Sequence, residues 1–448
     1  MMQSDAKTLT AVRGCLWGVC FLGACWLSGP GCDVFQKENK QSPKGKGGAL
    51  ELMRSDERPA DPRILVQTRT YMGTVFRIMV VVPGTKRPKG WENGAGELDT
   101  PTREARKRAR RVCELAFREI GRVEALMSVH RSDSQVVRLN EASQKAAQKG
   151  ASKMNPLKVD REVILVLEEA LQVSRLSGAA FDVTYAVLSG VWKQQRKHGK
   201  LPAKKTIKQV LKLVDYHGIK ISKDDSTVQL RPGQQIDLGG IAKGYGLDRA
   251  AVTLKEHGFK HFIVYGGGDL LVSGRHPDRP WRVGVQDPDQ RGYFAYLDVT
   301  NVAVVTSGDY QRYFMHKGKR YHHILNPRTG FPARGVRSVT VLADRAVYAD
   351  GMATALFVMG LEKGKALVDR LADTHAVFVT ADGKVVVTSG LGSRLKLLHR
   401  PGQGKTGKRK KRKAGARKTS GQKSGTRDTG PLTAKPADKR AVHAARDR

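Results

Sequence analysis

Cysteine is scarce where a fold could use it. Of the five, Cys15, Cys20, Cys25 and Cys32 lie in the leading segment and only Cys113 falls in the body, so no internal disulfide can staple it. The chain has no Cys-x-x-Cys or His-x-x-x-His metal set, no Gly-x-Ser-x-Gly elbow and no Walker lysine loop, which removes zinc, serine-hydrolase and P-loop chemistry. Acidic residues are also few, 42 against 80 lysines and arginines, for a net charge of +38. About a third of that excess sits beyond residue 399, where large apolar side chains almost vanish, so the segment 399–448 is expected to be a disordered basic tail. Its KRKKRK run at 408–413 would attract any polyanion, but no aromatic residue is interleaved to stack bases, which argues against specific nucleic-acid binding.

Long apolar runs are missing as well. The run from Gly14 to about Leu27, preceded by Lys7 and Arg13, is too short for a comfortable membrane span but suits the core of a signal peptide, which implies export. Leu22-Gly23-Ala24-Cys25 resembles a bacterial lipobox, and Gly29-Pro30-Gly31-Cys32 is a second candidate. The expectation is a lipoprotein anchored through Cys25 or Cys32 on the periplasmic side of the inner membrane. Residues 1–31 are then the signal and lipobox region and 32–62 a polar tether, with a reach on the order of 30 Å as a flexible coil.

The body, 63–398, is long enough for a sizeable core. Periodicity predicts long helices over 103–126 and 160–177 and a shorter one over 206–214, with 84–101 a polar loop. Further helices are expected over 247–257, from Ala349, and near 363–371. Strands are expected over 77–82, 218–221, 227–230, 261–265, 281–285, 293–299, 302–306, 336–343, 376–380 and 384–388. Strands in hairpin-like succession with helices between the groups argue for an α+β fold rather than a regularly alternating parallel sheet.

Chemistry concentrates in a few segments. In Ile236–Asp248, IDLGGIAKGYGLD, Asp237 follows a strand-like run, Gly239 and Gly240 allow a ligand close to the backbone, and Lys243 opens a helix, so a polyanion at a helix start is the implied guest. A tight strand-to-helix turn is the plain alternative. Asp350 and Thr354, four apart on a helix, share one face and offer a carboxylate and a hydroxyl to a hard cation such as Mg2+; a capped, buried helix start explains the pair equally. Met72-Gly73-Thr74 reads as a turn before the first strand. Ala180-Phe181-Asp182 follows a helix end, with Phe181 either core or a ring platform. Tyr265-Gly266-Gly267-Gly268-Asp269 is either a phosphate nest or a hairpin turn. Thr306-Ser307 closes another strand with hydroxyls. His323, in HHILNPRTG, has the proton affinity to deprotonate a hydroxyl near neutral pH, and Arg328 either orients a phosphate or holds that turn.

In this order, MGT at Met72, AFDVT at Ala180, DLGGIAKGYGLD at Asp237, GGGD at Gly266, TSGDY at Thr306, HHILNPRTG at His322 and ADGMATA at Ala349 resemble the ApbE family of FAD:protein FMN transferases, across about 68–390. The resemblance implies an ApbE/T-fold-like body of mixed sheets with flanking helices. It also implies FAD as substrate, Mg2+ as cofactor, and transfer of FMN to a threonine hydroxyl of an acceptor protein with release of AMP. That acceptor would be a subunit of a membrane redox complex. By position, Met72, Ala180, Phe181, Asp182, Asp237, Lys243 and Ile324 would line FAD. His323 would be the catalytic base, and Mg2+ would take Asp350, Thr354 and the carbonyl of Gly240. Two positions depart from the family: Met127-Ser128-Val129-His130 offers His130 where an aromatic usually stacks on flavin, and Asn326 stands for the usual Asp before Pro-Arg-Thr-Gly. The alternatives are an FAD pyrophosphatase and a flavin-binding periplasmic protein, neither with a protein acceptor.

Overall fold

The computed structural model describes residues 61–87, 98–289 and 292–401; the expected signal segment, most of the tether and nearly all of the basic tail lie outside them. The chain enters through a hairpin, β1 (Ile64–Tyr71) and β2 (Thr74–Val81), followed by helices α1 (Thr100–Met127) and α2 (Gln135–Gln148), the short β3 (Leu157–Lys158) and α3 (Arg161–Leu176). Next come α4 (Ala186–Lys197), α5 (Lys204–Leu211), β4 (Lys220–Ser222), β5 (Thr227–Gln229) and α6 (Ala242–Glu256). A run of strands follows: β6 (Phe262–Gly266), β7 (Asp269–Ser273), β8 (Trp281–Gln286), β9 (Tyr293–Val299), β10 (Val302–Gly308), β11 (Tyr313–His316), β12 (Lys319–His322) and β13 (Val336–Ala343). Helix α7 (Ala346–Val368) and strands β14 (His375–Thr380), β15 (Val385–Val387) and β16 (Leu395–Leu397) complete the body.

An eight-stranded sheet, ordered β1-β2-β6-β7-β10-β13-β14-β15, is antiparallel throughout. Its side chains alternate between two cores, as a period of two requires. Ala303 and Val305 of β10, and Val339 and Val341 of β13, face the helical layer of α1, α3, α6 and α7. Val304, Leu342 and Val377 face the other way, onto the three-stranded sheet β16-β9-β8. Both faces are buried, so the central strands read as continuous apolar runs. This is the α+β architecture the sequence led us to expect.

Helix α1 buries Val112, Ala116, Ile120 and Val123 along one stripe, and Asp99 caps its first turn by accepting from the Thr102 amide at 2.8 Å. Helix α6 lies against α1 and crosses α7 at Gly244, where a Cβ would stand 2.1 Å from the Ala346 carbonyl oxygen. Only glycine permits that approach. Asp248 then accepts from the amides of Ala346 and Val347, each at 2.9 Å, so α6 supplies the N-cap of α7 from a distance. Burial pushes the Asp248 carboxyl up to about 6, against those two hydrogen bonds.

Several local expectations change. Met72-Gly73 does not precede the first strand but is the two-residue turn between β1 and β2, with φ of 49° and 67°, the left-handed pair a tight hairpin of this kind uses. Residues before Asp237 form no strand; Asp237 leaves its loop by donating its amide to Val183. Helix α6 begins at Ala242, one residue before Lys243 as the glycine segment implied, so the helix expected over 247–257 is its continuation. The helices expected from Ala349 and near 363 are one element, α7, kinked at Gly360 with φ of 76°. Helix α1 begins at Thr100, inside the expected loop. No helix among the described residues is long and apolar enough to cross a membrane.

Candidate active site

The glycine segment, the start of α7 and the β6–β7 hairpin meet at one end of the sheet. Gly266 pairs with Asp269 across a turn of Gly267 and Gly268, so GGGD is a hairpin turn. That turn aims the Asp269 carboxylate inward, where the Lys243 ammonium sits 2.9 Å from it. The same ammonium lies 3.0 Å from both oxygens of Asp350, which also accepts from the Gly244 amide at 3.0 Å. Lys243 thus bridges two carboxylates that are each almost fully buried.

Burial disfavours the charge on Lys243, yet Asp269 and Asp350 more than offset it, and its proton affinity is raised. Asp269 is also pushed up, by burial first and then by its like-charged neighbour Asp350, despite the lysine. The cluster thus sets two carboxyl groups against one ammonium.

Thr354, one turn along α7 from Asp350, lies 3.3 Å from the Ser307 hydroxyl of β10. A methyl on Gly240 would stand 3.8 Å from Thr354 Oγ1 and 3.2 Å from the Phe181 ring. Asp350, Thr354 and Ser307 present carboxylate and hydroxyl oxygens. Among the described residues no three His, Cys, Asp or Glu side chains converge on a metal position. The ion that fits such a set is therefore a hard one that takes few protein ligands and completes its shell with phosphate and water. These residues fit Mg2+.

A second group of candidate residues follows the β11–β12 hairpin. The His323 ring is solvent-accessible, and its Nδ1 lies 3.1 Å from the Arg312 carbonyl, which also accepts the His323 amide at 3.1 Å. With the proton on Nδ1 donated to that carbonyl, Nε2 carries the free lone pair. Desolvation by the surrounding protein, then the Arg312 guanidinium, holds the imidazole well below its ordinary value. His130 is lowered by burial and by Lys193 and Arg312, while Asp237 opposes the shift. Tyr185, whose hydroxyl is 3.4 Å from Asp237 Oδ2, is raised by burial and by that carboxylate.

The remaining expected residues divide by role. Met72 holds left-handed backbone with its side chain against α6 at Gly246. Gly178 and Ala179, at φ of 57° and 64°, lift Ala180 and Phe181 over Gly240. Asp182 is turned into its own loop, accepting from Thr184 N and Oγ1 at 2.8 and 2.6 Å and from Tyr216 N at 3.0 Å, and burial raises its carboxyl. Ile324 is buried in the main core. Arg328 donates to the Gly178 carbonyl, so it ties the Pro-Arg-Thr-Gly turn to the Phe181 loop. Asn326 accepts from the Arg328 amide at 2.9 Å, which preserves that turn without the charge of an aspartate.

Reasoning from the sequence missed Tyr185 and the Arg312 carbonyl, and left Asp269 and Ser307 without a role. Asp269 and Ser307 stood in segments already singled out, and their polarity at strand ends was the available signal. No side-chain pattern marks a backbone carbonyl.

The model of the ApbE family matches residues 72–378. The chain belongs to the ApbE family. It is 34% identical to the FAD:protein FMN transferase of Treponema pallidum over 303 residues, 64% of this chain and 81% of that protein. It is 32% identical to the FAD:protein FMN transferase of Klebsiella pneumoniae, covering 61% of this chain and 83% of that one. The ApbE protein of Thermotoga maritima superposes with a TM-score of 0.62 at 29% identity, covering 74% of this chain and 99% of its own. The flavin transferase ApbE of Vibrio cholerae does so at 0.58 and 28%, covering 73% and 97%. Membership of the ApbE family makes the chain a transferase enzyme.

Proposed function

We propose that this ApbE-family chain moves the FMN portion of FAD onto a threonine hydroxyl of a partner protein, releasing AMP, in a reaction that requires Mg2+. The observation that carries the reading is the oxygen-rich cluster in which Lys243 joins Asp269 and Asp350, with Thr354 one turn along the same helix and beside Gly240, in a chain whose His323 keeps Nε2 free by placing Nδ1 on a backbone carbonyl. Relatives bearing the name FAD:protein FMN transferase support it.

Asp350, Thr354 and the Gly240 carbonyl would hold Mg2+, which when bound supplies positive charge to the diphosphate oxygens. The chain's own residues do the rest. Lys243 holds both oxygens of Asp350 and so fixes the orientation of that carboxylate. Phe181, Ala180 and Met72 line the glycine turn and offer apolar surface to an isoalloxazine or adenine ring, while Asp237, braced by Tyr185, faces the polar edge. His323 takes the threonine proton at Nε2 as the new O–P bond forms and the bond to the bridging oxygen breaks; that oxygen leaves with AMP. A histidine neutral through physiological pH is ready for that step without prior deprotonation. We also propose that the chain is exported and anchored through a lipidated cysteine, Cys25 or Cys32, on the periplasmic side of the inner membrane. Its acceptor would then be a subunit of a membrane redox complex. The body would be 63–398, carried on a tether from residue 32 and followed by a basic tail.

The test is incubation of the purified chain with FAD, MgCl2 and a peptide carrying a threonine in an Asp-Gly-Ser-Thr-like segment. Flavin-labelled peptide with AMP supports transfer. FMN and AMP free in solution would instead make the chain a pyrophosphatase, and bound unchanged FAD a carrier.

A further inference from the structure

The end of the body opposite the site carries the point of chain entry and an unusual density of positive charge. Strands β1 and β6 start there, β2 and β7 finish there, and the C-terminus of α6 lies there against the first half of α1, through an Arg108 hydrogen bond of 2.9 Å to the His257 carbonyl. Arg106 of α1 donates to the carbonyls of Pro62 and Ile64, so the entering chain is pinned to this helix. Asp61, Arg63 and Asp278 lock the same place by ion pairs.

Over 103–111, α1 carries six basic residues against one glutamate, Glu104. Arg106 and Arg108 are occupied with backbone carbonyls, whereas Lys107, Arg110 and Arg111 are exposed on the outer face. Lys255 and Lys260, also exposed, flank the α6 terminus that Arg108 holds, with Glu256 the acid between them. Few acids offset these bases, and a helix that needed them only for solubility would gain as much from mixed charge.

We infer that this basic end is a docking surface for an anionic phospholipid bilayer. Charge complementarity selects headgroup phosphates, and the position of residue 61 selects a sheet of them: whatever precedes residue 61 leaves the body beside Arg106. Docked this way, α6 points away from the lipid, and its rise of 1.5 Å per residue from His257 to Lys243 sets the active site about 20 Å above the headgroups. A client would have to present its threonine at that height, on a segment outside the bilayer rather than at its surface. The inference is independent of the reaction performed.

The experiment is flotation of the full chain on vesicles of phosphatidylcholine, alone or mixed with phosphatidylglycerol. Wild type is compared with the triple variant Lys107→Gln, Arg110→Gln, Arg111→Gln. A second pair carries glutamine through 408–413, so that the tail cannot mask the difference. Each basic residue near an anionic surface is worth roughly fivefold in affinity, so the triple variant should bind mixed vesicles at least about tenfold more weakly. The gap should close at high salt, and thermal midpoint and flavin transfer should be unchanged. Equal affinity of triple variant and wild type in the tail-neutral pair, or equal binding of wild type to both vesicle types, would overturn the inference.

Discussion

His323 shows how much of the chemistry lies in the setting of one side chain. Its residue type was legible as a base in the sequence; its tautomer was not, because the partner that sets it is the carbonyl of Arg312, eleven positions away across a hairpin. Replacing it, His323→Gln, should lower the rate of flavin transfer by about 10²- to 10⁴-fold while leaving FAD binding intact, read by flavin fluorescence of the acceptor and by equilibrium titration. The sign of the pH effect follows from desolvation by the surrounding protein and from Arg312. The neutral imidazole is the active form, so a depressed proton affinity moves the acidic fall in rate below the ordinary histidine range near 6.5. A kcat profile flat from pH 7.5 to about 6 is expected for His323. A fall centred at or above 6.5 that vanishes in the glutamine variant would contradict the assignment. Asp182 shows the same dependence on setting: its carboxylate is held by Thr184 and by the Tyr216 amide, a residue 34 positions on that no local pattern reveals.

At the scale of elements, helices with a clear apolar stripe were readable, while α2, α4 and the β11–β12 hairpin were not. Helix α2 is largely polar and buries only Val136, Leu139 and Ser143. Strands β11 and β12 pair only with each other, and their aromatic side chains pack on Trp192 of α4 instead of a sheet face. The contact between α6 and α7 was likewise hidden, since Gly244 and Asp248 serve a helix about a hundred residues on. Gly244→Ala should force the two helices apart and lower stability by several kcal/mol, with loss of the Lys243 bridge to Asp350; urea unfolding measures the first and residual transfer the second. Asp248→Ala removes the remote cap and should cost about 1–2 kcal/mol. Because burial raises the folded-state carboxyl above its unfolded value, stability linked to Asp248 is fully present below about pH 4 and is lost as pH rises through about 6. The stability gap between wild type and Asp248→Ala should therefore widen on going from pH 7 to pH 4.5, and a constant gap would show that the carboxyl titrates normally.

For the whole molecule, the ordered motifs carried both the family and the expected α+β class. The two-faced burial of the central sheet explains why individual strands showed no alternation: most were legible as strands, β1 and β7 were missed, and the order was hidden. Among the described residues every core side chain lies between Leu65 and Leu395, so a chain ending at Gly404 should keep the thermal midpoint and the transfer rate on a soluble acceptor; a drop in either would give the tail a structural part. The most direct test of the central claim is the fate of FMN when an acceptor protein, FAD and Mg2+ meet wild type and Asp350→Ala side by side. Intact-mass measurement should find one FMN on the acceptor threonine, with an equal amount of AMP, for wild type and none for the variant. Equal labelling by both chains would contradict the account.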